Sequence, residues 1–141
     1  MALRFVLSSL AAILLPIGAA ATDFQISDAD ALAIANAAFG VTSPDASKLP
    51  GFGVDRDSGT NPYYPRFIFY QATWAGNPDG TGSAVVGFVA VDRKTGDAWL
   101  AVMCQEIVAS DLQKLQRSVR RRMGMSGNQY AALKRPGPEC E

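Results

Sequence analysis

The stretch of sequence that decides the fold is residues 83–107, SAVVGFVAVDRKTGDAWLAVMCQEI. It contains two apolar runs, residues 84–91 and 99–104, and both are rich in the β-branched and aromatic residues that suit strands. Between the runs lies a polar segment with Gly96 near its end, which predicts a hairpin on a type I turn with Gly96 in the left-handed conformation. Neither run alternates cleanly between apolar and polar residues, so we expect both faces of this hairpin to be covered.

The sequence after the hairpin predicts two helices. Each begins with the pattern of a capping box, Ser110 with Gln113 and Ser126 with Gln129. The first of the two helices carries apolar residues at spacings of three and four, which is the pattern of a helix with one buried face.

The sequence before the hairpin predicts a helix, a long connection and a strand. The helix is rich in alanine, with Ser27 as its N-cap and Gly40 as its stop. Residues 41–65 hold too many prolines and glycines for the interior of an element, and residues 66–74 read as a strand. The predicted fold is therefore α+β, with an N-terminal Ala-rich helix, an antiparallel β-meander of three to four strands and two C-terminal helices.

Residues 1–21 have the features of a secretory signal peptide. Arg4 precedes a short apolar run, and small residues at Ala19 and Ala21 form a cleavage site. Cleavage would leave residues 22–141 as one α+β domain with no membrane span, located in the periplasm or secreted. Loss of Arg4 from a chain with 13 basic and 13 acidic side chains gives a net charge of −1, which argues against a general nucleic-acid binder.

The chemistry open to the chain is limited because it contains no histidine. This excludes Ser-His and Cys-His nucleophile pairs and removes the commonest metal ligand. Residues 55–61 carry oxygen-bearing side chains at alternate positions, as a calcium loop does, but Gly59 falls at the fifth place and no Glu follows in the loop, which favours a plain turn. We therefore expect neither a metal nor a cofactor. The two cysteines of an exported protein predict one disulfide, Cys104–Cys140.

Two groups of residues are candidates for binding. The first contains the aromatic and arginine types that concentrate at protein interfaces, although aromatic residues also fill cores. It comprises Tyr63, Tyr64, Arg66, Tyr70 and Trp74. The second is an anion-binding surface formed by Arg117, Arg120 and Arg121, although three consecutive arginines at 120–122 fan over about 200° of a helix and cannot share one face.

A carboxylate-dependent enzyme is the alternative from another functional class. Its acid–base pair would have to come from Asp92, Asp97, Glu106 and Asp111. Asp92 and Asp97 flank the predicted turn, where such residues commonly serve local hydrogen bonds instead.

The Ala-rich helix at residues 30–39, followed later by VAVDRKTGDAW at residues 89–99, resembles the small exported PepSY-like domains. The residues that match the hairpin motif of that family are Val91, Asp92, Thr95 and Gly96. The resemblance implies an α+β fold and a role in binding or inhibiting an envelope protein, often a peptidase, and it carries over no catalytic residue. The connection at 41–65 and the two terminal helices depart from the family pattern, and periplasmic immunity proteins fit the sequence about as well.

The functional hypothesis from the sequence is a small exported, non-enzymatic protein-binding domain, such as an inhibitor or immunity factor. Its expected partner is another envelope or secreted protein and not a nucleic acid. The alternatives are a small carboxylate-dependent hydrolase and an anion-binding envelope protein.

Overall fold

The computed structural model describes residues 23–57, 66–75 and 84–138. The expected signal peptide, Tyr63, Tyr64 and Cys140 lie outside these residues. The helices are α1 (Asp28–Thr42), α2 (Ser110–Arg122) and α3 (Gly127–Leu133), and a short 3₁₀ turn spans Ala46–Lys48. The strands are β1 (Gly53–Arg56), β2 (Phe67–Thr73), β3 (Val85–Asp92), β4 (Ala98–Leu100) and β5 (Gln105–Glu106).

The five strands form one antiparallel sheet in the order β1-β2-β3-β4-β5. This confirms the predicted α+β class and the meander, but the described residues hold more strands than the three or four expected. The additional strands are the two edges, β1 within the 41–65 connection and the two-residue β5. Neither strand has an apolar pattern of its own. Each is defined by its pairing with a longer neighbour, β2 or β4.

The hairpin between β3 and β4 is confirmed, and Gly96 in its turn has the predicted left-handed conformation. The amide of Gly96 donates to the carbonyl of Asp92 at 2.7 Å, and Gly96 has a φ of 71°. The second strand is shorter than expected, since β4 ends at Leu100 and residues 101–104 turn the chain into β5. Cys104 has a φ of 51° in this second turn, and it is disulfide-bonded. Its pairing with Cys140 stays a prediction because Cys140 lies outside the described residues.

The main core lies between one face of the sheet and the helices α1 and α2. Small residues on α1 let the helix approach the sheet closely, and Ile34 and Phe39 are buried there with Leu112 and Val119 of α2. The N-cap at Ser27 is confirmed, since its side chain accepts from the amide of Asp30 at 3.1 Å. The list of core residues is completed by Ile26, Ala31, Ala35, Ala38, Ile68, Tyr70, Ala72, Val89, Val91, Ala98 and Ile107.

Two predicted helix ends are wrong in detail. The first helix continues past Gly40 to Thr42, whose hydroxyl donates to the carbonyl of Ala38 at 3.2 Å. The N-cap of α2 is Ala109, which offers no side-chain cap, so Ser110 and Gln113 do not form a capping box. The capping box of Ser126 and Gln129 at α3 is confirmed.

The other face of the sheet carries a smaller apolar cluster of Phe67, Ala90 and Trp99. The tail after α3 reaches this face, because a Cβ added to Gly137 would lie 3.2 Å from Cζ3 of the Trp99 ring, and Pro138 is buried. The predicted two-sided cover of the hairpin is therefore present, with helices on one face and the tail on the other. Among the described residues, no helix combines the length and apolar character that crossing a bilayer requires.

Candidate functional site

A cleft of about 590 Å³ lies between α2 and α3. Its walls come from three consecutive segments: α2, the link at residues 123–126 and α3. The lining residues are Gln113, Lys114, Arg117, Arg120, Arg121, Met125, Ser126, Gly127 and Tyr130. Four of these side chains are basic and none is acidic, so the cleft presents positive charge.

Arg120 forms the floor of the cleft and is only 9% exposed. Its Nη1 donates to the carbonyl of Thr95 at 2.8 Å and to Oδ1 of Asp97 at 3.2 Å. The ring of Tyr130 stacks against the same guanidinium, with its centroid 4.1 Å from Cζ. Because these contacts occupy both its charge and its face, Arg120 positions the cleft and is not available for an incoming anion.

Asp97 is the carboxylate that holds this floor together. It is 4% exposed, and besides Arg120 it accepts from the hydroxyl of Tyr130 at 3.1 Å. Burial raises the pKa of Asp97, while the hydrogen bond with Thr95 and the charge of Arg120 act in the opposite direction. The pKa of Tyr130 is also raised, first by burial and then by the negative charge of Asp97.

The floor is also joined to the hairpin turn through α2. Gln116 is buried, and its Nε2 donates to the carbonyl of Gly96 at 3.0 Å. Two side chains of α2, Gln116 and Arg120, therefore donate hydrogen bonds to the neighbouring turn carbonyls of Gly96 and Thr95. The hairpin turn between β3 and β4 therefore fixes the position of α2 and of the cleft.

Arg117 and Arg121 line the cleft and are exposed. Neither has a side-chain hydrogen bond or an ion pair with the residues that the structure describes. Lys114, at the outer end of the cleft, pairs with Asp111 at 2.7 Å on the surface of α2. Of the predicted anion-binding residues, the structure thus brings all three to one cleft but leaves only Arg117 and Arg121 available.

Of the group predicted as a partner surface, Arg66, Tyr70 and Trp74 lie in the described residues. Tyr70 is 2% exposed, and its hydroxyl donates to the carbonyl of Asp28 at 3.3 Å, so it belongs to the core and does not fit a partner contact. Arg66 is half-buried and donates through Nε to both oxygens of Asp92, at 2.8 and 3.0 Å. Trp74 is partly exposed, and its role in partner binding stays a prediction, as do those of Tyr63 and Tyr64.

The four carboxylates considered for catalysis have separate partners. Asp92 pairs with Arg66, and Asp97 pairs with Arg120 and Tyr130. Glu106 binds Lys134 at 3.0 Å, and Asp111 binds Lys114 on the surface of α2. Each of these acids therefore has a structural role, which is the local use that the sequence indicates for Asp92 and Asp97.

An exposed apolar surface forms a second candidate. Val102 and Met103 are 80% and 69% exposed at the turn between β4 and β5, and Val108, just after β5, is 62% exposed. The apolar run at residues 99–104 predicts a strand, and that prediction gives no sign of an exposed surface here. Contiguous exposed apolar patches mark protein interaction sites, and the neighbouring Val102 and Met103 are the candidates for one here.

No protein-family model and no curated protein matches this chain. The resemblance to PepSY-like domains is therefore still a prediction. The chain is similar in structure to a chain from a type VI secretion system effector–immunity complex of Pseudomonas protegens, with a TM-score of 0.59 and 23% sequence identity. The match covers 78% of this chain and 87% of the other. At this identity the similarity shows a shared fold.

Proposed function

We propose that this protein is a small exported binding protein that inhibits or neutralises another envelope or secreted protein, as an immunity protein does. The observation that carries the proposal is the open basic cleft, whose floor is fixed by buried contacts while Arg117 and Arg121 stay available. A pre-positioned surface with unpaired arginines suits protein recognition, since arginine is prominent at interface hot spots. The shared fold with a chain of an effector–immunity complex supports the same proposal.

A non-enzymatic role is supported by the way the buried acids are used. Asp92 and Asp97 are each held by an arginine, and Asp97 also by Tyr130. A general acid or base must reach a substrate atom, whereas these carboxylates are 2% and 4% exposed and point at structural partners. They maintain the turn and the cleft floor.

The proposal is tested by capturing the partner and measuring what binding does to it. The full chain with a C-terminal affinity tag is expressed in its native host, and proteins retained from the envelope and the medium are identified by mass spectrometry. We expect one protein to be retained in stoichiometric amount, and its purified activity or toxicity to be suppressed by an equimolar amount of this chain. A retained protein whose activity is unchanged, or no retained protein over a range of salt concentrations, would contradict the proposal.

Two double variants show which surface is used. Arg117→Gln/Arg121→Gln alters the cleft, and Val102→Ser/Met103→Ser alters the exposed apolar turn. All four side chains are exposed, so both variants are expected to fold. We expect capture to be lost with the cleft variant and kept with the turn variant.

A further inference from the structure

Two arginines of the cleft, Arg117 and Arg121, have no counter-ion among the residues that the structure describes. In residues 23–57, 66–75 and 84–138, every other lysine and arginine except Arg135 lies within ion-pair distance of a carboxylate. Arg117 and Arg121 are also four positions apart on α2, so they lie on the same face of the helix. Like charges at this spacing disfavour the helix, and the protein nevertheless places them together in its cleft.

The surroundings of the two arginines define what the cleft can accept. Arg120 beneath them is neutralised by Asp97, so the charges that face an occupant are those of Arg117, Arg121 and the partly compensated Lys114. The guanidinium group presents a planar fork of N–H donors that matches a carboxylate. The ring of Tyr130 and the buried Met125 add apolar contact area at the same cleft.

We propose that the cleft binds an acidic peptide segment of the partner protein, with neighbouring Asp or Glu side chains placed on Arg117 and Arg121. This inference rests on the proposed function and specifies the chemistry of the partner. The volume of about 590 Å³ is in the range that accommodates several side chains, which is more than one small inorganic anion fills. The near-zero net charge of the whole chain favours a protein segment over a nucleic acid.

The test is the affinity of a fluorescein-labelled oligoglutamate peptide, measured by fluorescence anisotropy on the full chain. We expect saturable binding that weakens as salt is added, because the contacts are between exposed charges. Arg117→Gln/Arg121→Gln is expected to weaken the affinity by about tenfold or more. The matched control is Lys48→Gln/Arg135→Gln, which removes the same charge from exposed positions outside the cleft and is expected to change the affinity less than about twofold.

Competitors and circular dichroism complete the experiment. Unchanged far-ultraviolet spectra establish that both double variants are folded. Equal weakening by the two variants would overturn the proposal, because it would show a response to net charge alone. Displacement of the peptide by an equal concentration of inorganic phosphate, tighter binding of a short DNA duplex, or no peptide binding at low salt would overturn it as well.

The result is separable from that of the proposed function. If a captured partner is neutralised equally by the wild-type chain and by Arg117→Gln/Arg121→Gln, the proposed function stands and the cleft inference fails. If the peptide binds in the cleft but no envelope or secreted protein is captured or neutralised, the cleft inference stands and the proposed function fails.

Discussion

Asp97 is the side chain on which the geometry of the cleft depends most directly. It contacts the arginine of the floor and the tyrosine of the wall, so α2 and α3 meet at one carboxylate. Removing one member of a buried ion pair costs about 3–5 kcal/mol, because the other charge is left uncompensated. Asp97→Ala would therefore destabilise the protein and remove the hydrogen bond that holds Tyr130 in place.

The raised pKa of Asp97 predicts the sign of its effect on stability with pH. Because the folded pKa lies above the ordinary value of 3.8, the folded state holds this proton more tightly than the unfolded chain does. The associated stability is fully present below the unfolded pKa and is lost as the pH rises through the folded pKa. In urea titrations we expect the free energy of unfolding of wild type, relative to that of Asp97→Asn, to be larger at acidic than at neutral pH, which means that wild type is relatively more stable at acidic pH.

Asp111→Asn is the control for this measurement, with the opposite sign. The hydrogen bond and charge of Lys114 hold the pKa of Asp111 below 3.8, so its contribution is present above the unfolded pKa and is lost as the pH falls through the folded pKa. Curves for both variants that run parallel to wild type across this range would show that neither carboxylate has the assigned environment.

The hairpin turn determines how close α1 can lie to the sheet. Gly96 has a φ of 71°, and a Cβ at this position would lie 3.1 Å from Cδ1 of the fully buried Ile34. Gly124, which follows α2, has almost the same φ of 72° but no atom within 4 Å of an added Cβ. Both positions require a residue that tolerates a positive φ, but only Gly96 also lacks space for a Cβ.

Substitution of these glycines by alanine tests that difference. Both changes should cost about 1–2 kcal/mol for a left-handed alanine, and Gly96→Ala should cost about 1–3 kcal/mol more because it overpacks the core against Ile34. Chemical denaturation of both variants measures the difference. Equal losses would mean that Ile34 moves aside without cost and that the turn does not limit the approach of α1.

The sequence predicts the elements whose signals are local and misses those that depend on pairing. The turn at Gly96, the caps at Ser27 and Ser126 and the long strands can be predicted because their residue types act within a few positions. The strand β5 could not be predicted because its two residues are too few to carry a pattern, and β1 could not be predicted because it pairs with the distant strand β2. The same reason applies to Arg120, since its burial depends on Asp97, which lies 23 positions away.

The helices α1 and α3, which come before and after the sheet in the chain, are held by different kinds of contact. The helix α1 buries five side chains, whereas no residue of α3 is buried. The third helix is held instead by polar contacts, including Tyr130 with Asp97, Lys134 with Glu106, and the carbonyl of Leu133, which accepts from Arg66. One wall of the cleft therefore depends on a few polar contacts and not on buried apolar side chains.

The predicted Cys104–Cys140 disulfide would reinforce this wall. The tail after α3 passes over Trp99 at Gly137, so a bridge to Cys104 would fasten it to the turn between β4 and β5. Closing a loop of this length stabilises a fold by about 3–4 kcal/mol in the chain-entropy treatment. We expect reduction to lower the free energy of unfolding by about 3–4 kcal/mol in chemical denaturation. We also expect it to weaken oligoglutamate binding, because the tail that follows α3 is no longer fixed.

The variant Cys104→Ser/Cys140→Ser is the matched control, since its stability and peptide affinity should equal those of the reduced protein and should not respond to reductant. Alkylation of the exported, unreduced chain should label no thiol, whereas alkylation after reduction should label both. Labelled thiols in the unreduced chain would disprove the disulfide. A bridge that forms but whose reduction leaves the peptide affinity unchanged would show that the polar contacts of Tyr130, Leu133 and Lys134 are sufficient to hold α3 in place.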